Sequence, residues 1–216
     1  MDIQKKSWSD VTLKQFLEIR DIIEVQDAYT TCNLIDLLYG TDSANMPITE
    51  YKKYVSAIDF LKEDIKVLDT LPDTVVLNNT VYRTSANLTE VKTAQYIDFQ
   101  NYCKQEKPKY EDILSVFIIP KDYEYNSGYD LRKVKEDILQ MPIDLVMTLS
   151  FFFSVQFQAF IEIFPVYFRE ELKAMKMPQE KKDLIMKELD KLDWQHLELF
   201  PILQEYVGSS MRPGKV

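Results

Sequence analysis

The feature of this sequence that most constrains its fold is a weak internal duplication. Three blocks recur in the same order: 11–19 (VTLKQFLEI) matches 91–99 (VKTAQYIDF), 34–38 matches 113–117, and the Met-Pro-Ile of 46–48 matches that of 141–143. In the first block Val and Gln are identical and the aromatic, aliphatic and acidic positions are conservative. Two helical units of this kind can bury a shared face. Coincidence among amphipathic helices is the alternative.

Apolar residues at three- and four-residue spacing predict helices through most of the chain. The predicted ranges are 11–25, 30–39, 49–66, 90–104, 110–119, 131–140 and 143–164, with further helical stretches near 166–176, 178–193 and 194–207. Ser9 or Asp10 can cap the first helix, Thr12 and Gln15 have the spacing of a capping box, and Gly40 is the expected stop of the second helix. In each repeat the predicted order is helix, helix, loop, Met-Pro-Ile and helix, so each repeat is expected to contain three helices.

Residues 74–84 break the helical pattern. They are β-branched and aromatic on both sides of Asn78-Asn79, and Asn tolerates the positive φ of a tight turn, so a β-hairpin is predicted. The predicted fold is mainly α: a helical bundle built from two weakly similar three-helix units, with one short β-hairpin. The expected organisation is a first helical unit at 1–70, a hairpin connector at 71–89, a second unit at 90–165 with an inserted Tyr-rich loop, and a charged helical tail at 166–216.

Composition excludes several functional classes. The four glycines are scattered, whereas a phosphate-binding loop needs several close together. The net charge of −9 argues against coating a nucleic-acid duplex, and Lys5-Lys6 is interpreted as part of a solvated face. The polar start of the sequence does not resemble a signal peptide, so Cys32 and Cys103 are expected to be reduced.

No residue pattern predicts catalysis. His196 lies on a predicted helix without an adjacent Ser or Cys, and packing or exposure is its favoured role. Carboxylates at helical spacing, Glu18 with Asp21 and Asp59 with Glu63, could ligate a hard cation, but acidic helices produce such pairs freely. A carboxylate-metal hydrolase is thus a minor alternative. The prediction is a non-enzymatic protein with no catalytic residues, cofactor or metal.

Aromatic residues are the best candidates for partner contacts. The uncharged run 145–161 is shorter and more polar than a typical membrane span, so a core or interface helix is favoured, with a membrane-inserted helix as the minor alternative. Tyrosines in the loop 121–130 could anchor a partner, because tyrosine offers large area at low entropic cost, or could fold onto their own domain. The candidate contact residues are Tyr123, Tyr125, Tyr129, Phe152, Phe157 and Phe160.

Several segments carry a resemblance to a known group of proteins. They are 8–16 (WSDVTLKQF), 95–100 (QYIDFQ), 113–121 (ILSVFIIPK), 125–130 (YNSGYD) and 151–153 (FFF). Over about residues 8–165, the kinds of residue and the order of these motifs resemble those of small virion or tail-assembly-chaperone-like proteins of tailed bacteriophages, including crAss-like phages of gut bacteria. The charged tail lies outside this resemblance, and no functional residues are carried over from it.

The resemblance implies a structural protein of the virion or tail that acts through protein–protein contacts. Its partners would be other phage structural proteins, with a homo-oligomer as an open possibility, and no direct nucleic-acid or membrane binding is expected. It would be found in the virion, and in the host cytoplasm during assembly. The alternative is a transient tail- or capsid-assembly chaperone or adaptor that is not retained in the particle.

Overall fold

The computed structural model describes residues 3–84, 91–103, 105–153, 178–183 and 187. The chain divides into two compact units: Met1–Ser85 with Lys92–Ser150, and Ala86–Val91 with Phe151–Val216. Residues 3–84 and 105–150 lie in the first unit, and 151–153 lie in the second. Most of the predicted tail lies outside the described residues, although 179–183 are helical as expected.

The fold is mainly helical with a small antiparallel sheet, which confirms the predicted class. The helices are α1 (Leu13–Val25), α2 (Thr30–Tyr39), α3 (Ile48–Ala57), α4 (Thr93–Cys103), α5 (Tyr110–Leu114), α6 (Leu131–Leu139) and α7, which begins at residue 143 and is described to 153. The strands are β1 (Thr74–Leu77), β2 (Thr80–Thr84) and β3 (Ile118–Pro120). No helix among the described residues is long and apolar enough to cross a membrane.

Helix α2 has the predicted bounds and α1 has the predicted end, but α1 begins at Leu13, two residues later than predicted, and neither Ser9 nor Asp10 caps it. Thr12 and Gln15 form the capping box of α1: the Gln15 amide donates to Thr12 Oγ1 at 3.2 Å, and the Thr12 amide donates to Gln15 Oε1 at 3.1 Å. Gly40 follows α2 with φ +65° and donates its amide to the Asp36 carbonyl at 2.8 Å. A glycine suits this left-handed position because it has no Cβ to clash.

The third helix is shorter than the predicted 49–66. It ends at Ala57, and a 3-10 turn (Asp59–Lys62) follows. This tighter turn buries Phe60, whose ring meets the edge of Trp8 at 5.5 Å between centroids. Trp8 Nε1 also donates to the Glu63 carbonyl at 2.8 Å. Packing against Trp8 therefore replaces the last turns of the predicted helix, because helical propensity is weaker than tertiary contacts.

The hairpin is confirmed, and it gains a third strand that sequence reasoning missed. Asn78 and Asn79 form its turn with φ of +46° and +62°. The predicted helix 110–119 is wrong in its second half: α5 stops at Leu114 and β3 pairs antiparallel with β2, in the sheet order β1-β2-β3. The β-branched Ile118 and Ile119 suit a strand, and an isolated hairpin is marginal without further strands or packing.

The two segments that the sequence aligns as repeats contribute to one core. The Leu13 amide donates to the Met141 carbonyl at 2.8 Å, and the Ile143 amide donates to the Val11 carbonyl at 2.9 Å. All four of these residues are fully buried. The start of α1 in the first repeat therefore pairs with the Met-Pro-Ile segment of the second, so that residues from both repeats lie in the same compact unit.

Candidate functional site

A buried carboxylate joins the hairpin to α6. Asp137 accepts hydrogen bonds from Asn78 Nδ2 at 2.7 Å, from Lys133 Nζ at 2.6 Å and from the Tyr82 hydroxyl. Both Asp137 and Tyr82 are buried. Burial alone would raise the pKa of Asp137, but the three donors outweigh it and hold the pKa below its ordinary value. The network is satisfied and holds the sheet in place on α6.

The outer face of the sheet carries an exposed apolar pair. Val76 and Val81 lie directly opposite each other on β1 and β2, and they are 68% and 39% exposed. Their neighbours Val75, Leu77 and Tyr82 point inward and are buried. Alternation along the strands thus separates one buried face from one that presents valine to its surroundings.

The Tyr-rich loop 121–130 is fastened at the end of this outer face. Arg83 shares the face with Val81, and its Nη2 donates to the Tyr123 carbonyl at 2.6 Å. The Tyr125 hydroxyl donates to Asp98 on α4 at 2.6 Å, and Lys92 Nζ lies 2.6 Å from Glu124 Oε2. These contacts fix the loop backbone against the sheet and α4.

The predicted anchor tyrosines therefore occupy different environments. Tyr125 is half-buried, and burial followed by its bond to Asp98 raises its pKa well above the ordinary value. Tyr123 remains 46% exposed, and its ring meets the edge of Tyr129 at 6.0 Å between centroids. The "sheet face" is defined here as Val76, Val81 and Tyr123, since these side chains are available for contact while Tyr125 holds the loop.

The predicted phenylalanine contacts belong to the second unit. Phe152 is half-buried, and its ring meets that of Phe151 edge-on at 6.0 Å between centroids. Phe151 is 50% exposed. Phe157 and Phe160 lie outside the described residues.

Among the described residues, the candidate metal-binding carboxylates are not gathered into a cluster. His196 lies outside the described residues. Within the described ranges no group of three or more His, Cys, Asp or Glu side chains could hold a metal ion, and Asp59 is paired instead with Lys62 at 2.8 Å. Cys32 and Cys103 are not joined by a disulfide. Burial raises the pKa of the Cys103 thiol to about 12, which disfavours the reactive thiolate.

Sequence reasoning missed three residues that shape this site: Asp137, Arg83 and Ile119. Asp137 was indistinguishable from the solvated acids of an amphipathic helix, because its partners lie 55 and 59 positions away in the hairpin. The signal for β3 was present in Ile118-Ile119-Pro120, where two β-branched residues precede a proline. Helical spacing in 110–117 obscured it.

Comparison with known proteins adds no relative to this description. No protein-family model, no curated protein and no solved structure matches the chain.

Proposed function

We propose that this chain is a non-enzymatic structural protein of a tailed-bacteriophage virion or tail, and that it acts through protein–protein contacts. The motif resemblance over about residues 8–165 suggests the class of particle. Its partners would be other phage structural proteins, with self-association as one form of contact. It would be present in the host cytoplasm during assembly and afterwards in the virion.

The observation that favours a contact role is the sheet face. Its side chains are apolar or aromatic and exposed, whereas the backbone beneath them is fixed by the Asp137 network and by Arg83. A rigid surface loses little conformational freedom on binding, and tyrosine is enriched among the residues that dominate interfaces.

The net charge of −9 supports protein partners over nucleic acid. A protein gains affinity for a duplex by placing Lys and Arg against phosphates, and an acidic surface opposes this. A structural protein that is retained must be present in the finished particle, whereas a transient assembly chaperone must be absent from it. The protein composition of purified particles therefore separates the two roles.

Quantitative mass spectrometry of purified particles and of infected-cell lysate tests the proposal. We expect the chain in particles at a fixed ratio to the major structural proteins. Presence in lysate complexes with structural proteins but absence from particles would favour the chaperone instead. Absence from particles and from such complexes would overturn both.

The sheet face can be tested by replacing its valine pair. In Val76→Lys/Val81→Glu the apolar contact is removed, while opposite charges across the strands preserve the hairpin. We expect incorporation to fall at least about tenfold, corresponding to the loss of roughly 1.4 kcal/mol of contact energy. Val25→Lys, at a residue that is 70% exposed on α1, is the matched control. Equal incorporation of both variants would contradict a role for the sheet face.

A further inference from the structure

A second surface is lined jointly by the N-terminal segment and α3. A groove of about 890 Å³ runs between residues 3–6, α3 and the turn Asp59–Lys62. Lys5 and Lys6 line it from the N-terminal segment, and Lys52 and Lys53 line it from α3. We call it the basic groove. The two lysine pairs are 47 positions apart in sequence (52 − 5), so only folding brings them together.

The walls of the basic groove are held in place. The Tyr39 hydroxyl lies 3.3 Å from the Gln4 carbonyl, and Lys6 Nζ lies 5.6 Å from the centroid of the Tyr39 ring. Trp8 ties the same segment to the far wall through its bond to the Glu63 carbonyl. The N-terminal segment therefore forms one side of a defined groove.

The charge of the basic groove is opposite to that of the protein as a whole. Among the described residues, no ion pair involves Lys5, Lys6, Lys52 or Lys53. The groove also contains Asp59 and Glu63, and Asp59 is paired with Lys62. Four lysines without ion-pair partners on a protein of charge −9 give a local positive site that complements an anionic partner.

A neighbouring groove enlarges the surface that a ligand can contact. This second groove, of about 550 Å³, shares Ile3 and Lys53 with the first and is also lined by Tyr39 and Tyr54. Together the two linings combine lysines with apolar and aromatic side chains. An extended peptide can present both acidic and apolar side chains to such a surface, because its residues advance by about 3.3 Å each.

A nucleic acid complements the basic groove less well than a peptide does. A phosphodiester chain carries charge at every step, whereas carboxylates from Glu50, Asp59 and Glu63 interrupt the lysines. Single strands also gain affinity from bases stacked on exposed aromatic rings, but the Tyr39 ring is already covered by Lys6 and packed edge-on against Tyr54. A peptide can instead place its acids only opposite the lysines.

We propose that the basic groove binds an acidic, partly apolar peptide segment of a partner protein. Glu or Asp side chains of the segment would pair with Lys5, Lys6, Lys52 and Lys53, and its apolar side chains would contact Ile3 and the floor formed by Ala57 and Phe60. This binding does not depend on the chain belonging to a virion. Failure of the particle experiment and failure of the peptide experiment are therefore separate results.

Fluorescence anisotropy with the full chain tests this proposal. The probe is a fluorescein-labelled decapeptide of alternating Glu and Leu, and the reference peptide has Gln in place of Glu. We expect saturable binding of the Glu peptide that weakens as salt rises, and at least about tenfold weaker binding of the Gln peptide. No saturable binding, or equal binding of both peptides, would overturn the proposal.

A matched pair of variants assigns the binding to the groove. Lys52→Glu/Lys53→Glu changes two exposed residues of α3, and the control Lys14→Glu/Lys107→Glu changes two exposed lysines elsewhere. Each Lys→Glu change lowers the net charge by two, so both variants fall from −9 to −13. We expect at least about a tenfold loss of affinity in the groove variant and less than about twofold in the control. Equal losses would contradict a defined site.

Two further measurements complete the test. Lys5→Glu lies outside every helix and strand, so it probes the groove even where the α3 variant fails to fold by circular dichroism. We expect it to weaken the Glu peptide as well. A labelled oligothymidine of matched length is the competing ligand. Tighter binding of the oligonucleotide, lost in the groove variants, would overturn the peptide proposal and identify a nucleic-acid site.

Discussion

A glutamine bonds to the start of the first helix in each aligned repeat, but only in the second repeat does it also make a tertiary contact. In the first, Gln15 Oε1 accepts the Thr12 amide at 3.1 Å; in the second, the aligned Gln95 Oε1 accepts the Lys92 amide at 2.9 Å. Gln95 additionally donates through Nε2 to the Val116 carbonyl at 2.8 Å and is buried. The first glutamine thus bonds only to its own helix start, whereas the second bonds both to its helix start and to a segment 21 residues away.

The repeats diverge further in the block that follows. In the first, 34–38 remain helical up to the stop at Gly40. In the second, the aligned block leaves the helix after Leu114, and the chain continues into β3, the Tyr-rich loop and α6. This inserted region is joined to the hairpin through Asp137. Both repeats therefore contain buried polar contacts: in the second a buried carboxylate accepts from the hairpin, whereas in the first the buried Ser43 hydroxyl donates to the Cys32 carbonyl at 3.1 Å.

The largest expected effect is the loss of the Asp137 network. Asp137→Ala leaves the Tyr82 hydroxyl buried without its acceptor, so we expect a destabilisation of about 3 kcal/mol. Chemical unfolding followed by circular dichroism measures it. The control is Glu136→Ala on the exposed side of α6, which should change stability by less than about 0.5 kcal/mol. Similar losses in both variants would show that the network contributes little.

The comparison of the two glutamines gives a smaller effect. Gln95→Ala leaves the buried Val116 carbonyl without its donor, and we expect a cost of about 2 kcal/mol. Gln15→Ala removes only the reciprocal half of a cap, while Thr12 still accepts the Gln15 amide, and about 0.5 kcal/mol is expected. The two free energies of unfolding, measured side by side, test the comparison directly. Equal values would mean that the repeats use this residue in the same way.

The smallest expected effect is a difference in acid sensitivity. Because the folded protein holds the pKa of Asp137 below its ordinary value of 3.8, the stabilisation is present above that value and is lost as pH falls through the folded pKa. Unfolding free energies of the wild type should therefore fall more steeply below about pH 4 than those of Asp137→Asn. Parallel curves would indicate that the acid sensitivity arises in carboxylates common to both proteins.

Local patterns predicted the elements that end in strong local signals. The end of α2 and the hairpin turn were predicted from Gly40 and Asn78-Asn79, and Thr12 with Gln15 was recognised as a capping box, because these conformations are set within a few residues. The end of α3 and the second half of 110–119 were mispredicted, because Trp8 and β2 decide them from distant positions. Among the site residues, the sequence treats the loop tyrosines alike, and only the fold separates the exposed Tyr123 from Tyr125, whose hydroxyl makes a partly buried bond to Asp98.

By itself the sequence determined the mainly helical class, the hairpin and the net charge of −9. Helical periodicity and turn residues act over a few neighbouring positions, and net charge is a sum over all residues. Only the tertiary structure decided that Asp137 is a buried acceptor, that β3 completes a sheet and that Lys5 and Lys6 meet Lys52 and Lys53. Each of these depends on bringing together residues far apart in the chain. A charged side chain has the same local pattern whether it faces water, a buried hydroxyl or a groove, and packing alone distinguishes the three.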